Sequence, residues 1–180
     1  LEEVARKPFE LYFTPDTLKE LLEKQIKIEI DRAKLQGISD NELQQFIFDR
    51  YDKDFTIKTN IYIHESQHSI DSKYGIPLSW FGENEYRAKM SQLAYGDMPF
   101  MSLSQFYGTT IGEDVHDTHS MANTRVFSDI ISHINDNSNK YPEIDTNKNI
   151  LSQLINLSEE DLKDISIKIF EKNYPMEKYK

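Results

Sequence analysis

The sequence predicts a mainly α domain with little β-structure, and three observations carry that expectation. Apolar residues recur at spacings of three and four along most of the chain. Helix-start signals stand ahead of several of those stripes. Strand signals are confined to residues 8–13 and to the alternation from Ile26 to Ile30, which lies inside a stretch read as helix. A length of 180 residues fits one domain with a sizeable core, so residues 1–180 are expected to form a single domain. Hydrophobic residues at 38% and charged residues at 29% suit a soluble globular chain, and 10 Tyr with 10 Phe exceed what a disordered one carries.

In chain order, Pro8-Phe-Glu-Leu-Tyr-Phe13 is a short strand candidate by its aromatic content. Thr14-Pro15-Asp16 then supplies an N-cap, a proline for the first helical position and an acid for the first turn. The helix it starts carries Leu18, Leu21, Leu22 and Ile26 and runs towards Gly37. Ser39 and Glu42 have the spacing of a capping box, and Leu43, Phe46, Ile47 and Tyr51 form the apolar face behind it. Tyr51-Asp-Lys-Asp54 reads as a turn. A helix follows from about 56 to 74, ended by Gly75. Residues 76–82 form a loop with aromatic content, read as core packing or as a wall for a substrate. The next helix covers about 83–95 and stops at Gly96-Asp97. Residues 97–113, with Pro99, Gly108 and Gly112, read as a long irregular connection with room for a short helix. Ala122, Val126, Ile130 and Ile134 predict a helix over 120–135. Residues 135–149 are a polar loop and the best internal boundary, separating a core of about 39–135 from a C-terminal helical pair at 147–174. The second member of that pair starts after Ser158.

Charge and cysteine usage exclude some functions. A net charge of −10 and a pI near 5.0 argue against nucleic acid or an anionic membrane as main partner. Without cysteine there are no disulfides and no thiolate metal ligands, which leaves His and carboxylate. No apolar run approaches the roughly 18–20 residues of a membrane span. No signal peptide is visible, and the chain begins at Leu1, as a trimmed or processed piece would. The expected location is soluble, cytoplasmic or exported with the signal removed, and the compartment stays open.

The chemistry concentrates in Ile63-His64-Glu65-Ser66-Gln67-His68. This is H-E-x-x-H. On a helix the two histidines share a face one turn apart, within reach of one Zn²⁺ at about 2.0–2.1 Å each. Glu65 follows the first of them, so it points off the ligand axis towards a metal-bound water, where a general base belongs. Ile57, Ile61, His64, His68 and Asp71 fall on one stripe, as in a core helix that enters a site. The bland alternative is two solvated histidines on a surface helix. Asp71 has three readings: an acceptor for a ligand imidazole N–H, a third ligand, or a plain surface acid.

With this motif the chain resembles the zincin metallopeptidases. Asn84-Glu85-Tyr86-Arg87-Ala88 further resembles the N-E-x-x-A segment of the gluzincins. The likeness covers about residues 56–96. It implies a compact zincin-like domain with His64, His68 and Glu85 as zinc ligands, Glu65 as general base, and hydrolysis of peptide bonds in a peptide or protein substrate. Zincins often place a non-ligand His or Tyr near the oxyanion, and His119 is the candidate here. His116 and His133 read as a capping or solvated residue and a surface residue. Glu83 competes as a ligand but reads as a helix-start acid, and the plain reading of Glu85 is an ion pair with Lys89. Two other functions stay open: a non-catalytic zinc-binding or interaction module, and an all-α interaction domain without metal.

Overall fold

The computed structural model describes residues 15–112 and 117–174. The strand candidate at 8–13, Thr14 and His116 lie outside the described residues. Among those residues there is no β-strand, and the domain is mainly α, as the periodicity predicts. The elements are α1 (Pro15–Leu35), α2 (Asp40–Asp49), a π-wound segment (Arg50–Ile63), α3 (His64–Lys73), α4 (Glu83–Tyr95), α5 (Pro99–Gly112), α6 (Thr118–Asp136) and α7 (Glu159–Asn173), with 3₁₀ turns at Ser138–Lys140 and Leu151–Asn156.

From Asp40 to Lys73 the chain is one unbroken helical rod. Asp49 and Ile63, at its internal joints, both hold right-handed helical dihedrals. The turn expected at 51–54 is absent. Its charges are satisfied along the helix instead: Arg50 pairs with Asp54 one turn on and reaches Glu29 of α1 at 2.9 Å. The middle of the rod is wound with i→i+5 bonds, a rare geometry. Thr59 Oγ1 follows the same spacing, donating to the Asp54 carbonyl at 2.7 Å. This winding breaks the stripe expected from α spacing. Phe55 and Thr59 are buried, whereas Ile57 and Ile61 are 37% and 49% exposed.

Residues 99–112 form helix α5 where an irregular connection was expected. Pro99 stands in its first turn, where the missing N–H costs nothing. The Gln25 Oε1 atom accepts from Phe100 N at 3.1 Å and so caps it. Phe100, Leu103, Phe106 and Tyr107 are fully buried and belong, with Leu21 of α1 and Val126, Phe127 and Ile130 of α6, to the core. The expected helix at 147–156 is only the 3₁₀ turn Leu151–Asn156. Helix α7 starts as expected, with Ser158 and Asp161 forming a capping box. His133 is half-buried rather than on the surface, its Nε2 3.2 Å from the Tyr141 hydroxyl. Burial, with Lys168 and Lys140 nearby, holds its pKa below the ordinary imidazole value.

Helix α4 is the hub, packed by α3, α5, α6, α7 and the π-wound segment. Every residue from Tyr86 to Ala94 is buried, including Arg87, Lys89, Ser91 and Gln92. A helix buried all round is normally apolar. Here each buried polar group needs a partner, because an unpaired one costs several kcal/mol. The glycines at its two ends allow close approach. Gly82 has φ +96°, and a Cβ there would meet the Thr118 carbonyl oxygen and the Trp80 ring at 3.0 Å each. A Cβ on Gly96 would sit 2.5 Å from the Thr59 methyl. One glycine seats the start of α6 against α4, and the other seats the π-wound segment.

The buried stripe of α1 turns polar at Gln25 and Glu29, and Ile26, expected on the apolar face, is 42% exposed. Gln25 donates to Glu29 and to Glu159 of α7, and Arg32 pairs with both acids. Burial pushes the Glu29 carboxyl up, but Arg32 and Arg50 outweigh it and hold the group below its ordinary value of 4.5. A depressed carboxyl stabilises fully above 4.5, and that stability is lost as pH falls through the lower folded value. Glu29→Gln is expected to cost about 3 kcal/mol at pH 7. It should also flatten the acid limb of unfolding free energy against pH, measured by urea denaturation from pH 7 to 3. An unchanged acid limb would remove Glu29 as its source.

Candidate metal centre

The rod delivers two imidazoles and the hub delivers a carboxylate. His64 and His68 occupy the first turns of α3, and their Nε2 atoms lie 3.0 Å apart. Glu85, in the first turn of α4, places Oε2 3.4 Å from His64 Nε2 and Oε1 3.4 Å from His68 Nε2. Four ligands at 2.0–2.1 Å from one ion in a tetrahedron are about 3.3–3.4 Å from each other. The His64–His68–Glu85 group approximates one face of such a tetrahedron, its atoms converging within 4.8 Å. A group of three such donors could hold a metal ion, and three protein ligands with one position left for water is the pattern of catalytic rather than structural zinc sites.

The hydrogen bonding fits a cation at that point. His64 Nδ1 lies 3.1 Å from Gln92 Oε1, and the Gln92 amide nitrogen donates to Asn60 Oδ1 at 2.7 Å. Nδ1 therefore carries the proton in the neutral ring, and Nε2 presents a lone pair. That lone pair faces Glu85 Oε2, a buried atom with no aligned hydrogen-bond donor. Two acceptors facing each other in a shielded site repel unless a positive charge lies between them or a proton is shared from His68 or His119 beside them.

His119 joins the site. It lies in the first turn of α6, where Asp117 caps the backbone N–H of His119 and Ser120. Its Nδ1 is 3.1 Å from Glu85 Oε2, and its side chain is 51% exposed. Glu65 is exposed and, like His119, lines both of the clefts that His64 borders. The cleft wall includes Ile76 and Leu78, while Trp80 packs on the core, so the loop 76–82 divides between its two expected roles.

Two acids play other parts. Asp71 is neither ligand, imidazole acceptor nor surface acid. It is buried and accepts from Arg87 Nε at 2.7 Å, Arg87 Nη2 at 2.9 Å and Gln67 Nε2 at 2.6 Å. Gln67 in turn accepts from Ser91 at 2.8 Å. This lacing fixes α3 against α4, and with it the imidazoles against the carboxylate. Arg87 is held from the other side by Tyr174, 3.9 Å from the ring centroid. Glu83 stays out of the ligand cluster. Its buried carboxylate accepts from the Ser79 N–H and from the Tyr174 hydroxyl, tying the loop 76–82 and the end of α7 to α4.

Gln92 is the site residue that sequence reasoning did not assign. The signal was present, since Gln92 stands seven residues beyond Glu85 on the same helical face. Gln92→Leu removes the acceptor that fixes the His64 tautomer. It is expected to weaken zinc binding about 10–100-fold with the fold retained, read by competition with a chromogenic chelator. Unaltered affinity would show that His64 needs no such support. Comparison of the chain with protein-family models, curated proteins and solved structures gives no match. No helix among the described residues is long and apolar enough to cross a membrane.

Proposed function

We propose that this domain is a zinc-dependent peptidase, with His64, His68 and Glu85 as ligands and Glu65 as general base. The observation that carries the reading is the convergence of two Nε2 atoms and one carboxylate at the spacing of a tetrahedral face, beside an open cleft. The resemblance of H-E-x-x-H followed by N-E-x-x-A to the gluzincins supports it. A zinc ion bound there supplies Lewis acidity, acidifying a water and polarising a carbonyl. Glu65 sits next to His64 and so projects about 100° round the helix from it, off the ligand set. Its carboxylate takes the proton of the attacking water and later gives it to the leaving amide nitrogen, completing addition of water across the C–N bond. His119, on the cleft wall, donates to the carbonyl oxygen as negative charge develops.

The first test is the metal. Protein purified without chelator and re-exposed to zinc is expected to hold one zinc per chain. Because imidazole binds only when neutral, occupancy should fall as pH drops below about 6. Elemental analysis that finds no transition metal would end the zinc reading. Zinc without chelator-sensitive turnover of an unfolded protein would leave a non-catalytic zinc module.

A further inference from the structure

Three side chains on one side of α4 meet the end of α7. The Tyr174 hydroxyl donates to Glu83 Oε1 at 2.9 Å, and the Asn173 amide donates to the Tyr86 hydroxyl at 3.1 Å. The Tyr174 ring faces the Arg87 guanidinium, 3.9 Å from its centroid, and Phe170 adds a second ring at 5.6 Å. Glu83 and Arg87 each stand two residues from Glu85, which places them about 200° round the helix from it. The grip is therefore on the back of the helix whose front carries the carboxylate. Arg87 in turn holds Asp71 of α3 through Nε at 2.7 Å and Nη2 at 2.9 Å. Asp71 follows His68 by three residues, one turn further along the same face. Arg87, Asp71 and Tyr174 are all buried. The end of α7 thus acts on α4 directly and on α3 through Arg87, although neither Asn173 nor Tyr174 lines a cleft at the ligands.

We propose, resting on the metal centre assigned above, that Tyr174 is a remote positioning residue for that centre, its ring setting Arg87 and through it the imidazoles against the carboxylate. A desolvated guanidinium is drawn to an aromatic face, and the face fixes the plane in which the guanidinium fork opens. Asp71 lies in the mouth of that fork. A shift of the ring moves the fork, and the fork carries α3. Tyr174 is itself held at two points, its N–H on the Phe170 carbonyl at 2.8 Å and its hydroxyl on Glu83. The ring is the operative part, because the hydroxyl ends on an acid that stays out of the ligand cluster. Phenylalanine at 174 keeps the face, whereas leucine removes it. Coupling of this kind is reciprocal, so zinc in the centre steadies the end of α7 on the opposite side of α4.

Wild type, Tyr174→Phe and Tyr174→Leu are compared by zinc affinity, from chelator competition, and by the visible absorption of Co²⁺ bound in place of zinc. Tyr174→Leu is expected to bind zinc about tenfold more weakly and to shift the Co²⁺ bands, at unchanged helix content. Tyr174→Phe should match wild type in both. Hydrogen exchange of the wild-type protein gives the reciprocal reading and needs no variant to fold. Zinc should slow the amides of residues 170–174 more than those of 160–164 at the other end of α7. A folded Tyr174→Leu protein with wild-type affinity and Co²⁺ bands would overturn the proposal and leave Tyr174 a packing residue. Equal loss in Tyr174→Phe would overturn it by moving the effect to the Glu83 bond. Zinc that protects both ends of α7 alike would also tell against it. Wild type that binds neither metal would take the proposal down together with the metal reading. Coupling to Tyr174 without hydrolysis by wild type would keep the proposal and sink the peptidase reading.

Discussion

Glu85→Ala is expected to lower zinc affinity by more than the roughly 100-fold that marks loss of an outer partner. The carboxylate is the only anion among the three converging ligands, and both imidazole nitrogens face it at 3.4 Å. Without it, two neutral groups on one helix remain, and nothing on α4 closes the third corner. Glu83→Ala is the informative contrast, because Glu83 shares the first turn of α4. Its loss removes the acceptor of the Tyr174 hydroxyl and the Ser79 N–H bonds, a stability cost of about 1–3 kcal/mol. Zinc affinity should hold in that variant while its unfolding midpoint drops. Isothermal titration and thermal unfolding of both proteins decide the matter. Equal zinc loss in the two, or loss with Glu83→Ala alone, would reassign the third ligand.

Glu65→Gln is expected to keep the metal and the fold and to lower hydrolysis by at least 10²–10⁴-fold, the usual weight of a positioned general base. The replacement preserves shape and removes only the capacity to accept a proton. Glu65 is exposed at the start of α3 and braces no other element, so stability should stay within about 0.5 kcal/mol of wild type. Wild-type turnover that persists in Glu65→Gln, with zinc content equal, would refute the assigned base.

Much of this architecture is legible from local rules. The N-terminal boundary of α4 and the capping signals at Ser39 and Ser158 depend on a few neighbouring residues, and they stand where the sequence puts them. Errors arose where a distant partner overrides a local signal. Pro99, Gly108 and Gly112 read as breakers, yet 99–112 is helical because its apolar face is buried and Gln25, far away in sequence, caps its start. The acids and lysine at 52–54 read as a turn, yet Glu29 and Asp54 hold Arg50 within a continuing helix. Asp71 was ambiguous for the same reason, since Arg87 lies sixteen residues on. The H-E-x-x-H pair was readable because i,i+4 geometry is local. The placing of Glu85 opposite it depends on packing between helices, which spacing alone does not determine. The π winding ahead of His64 left no periodic trace at all.

Burial sets the two helices of the site apart in how firmly each is held. A carboxylate mounted on a helix enclosed on every side is the fixed jaw of a vice. The imidazoles ride on α3, whose buried residues, Gln67 and Asp71, are the two laced to α4, so that jaw is held along one seam only. Amide protons of α4 should exchange only when the whole domain opens, while those of α3 should exchange more readily.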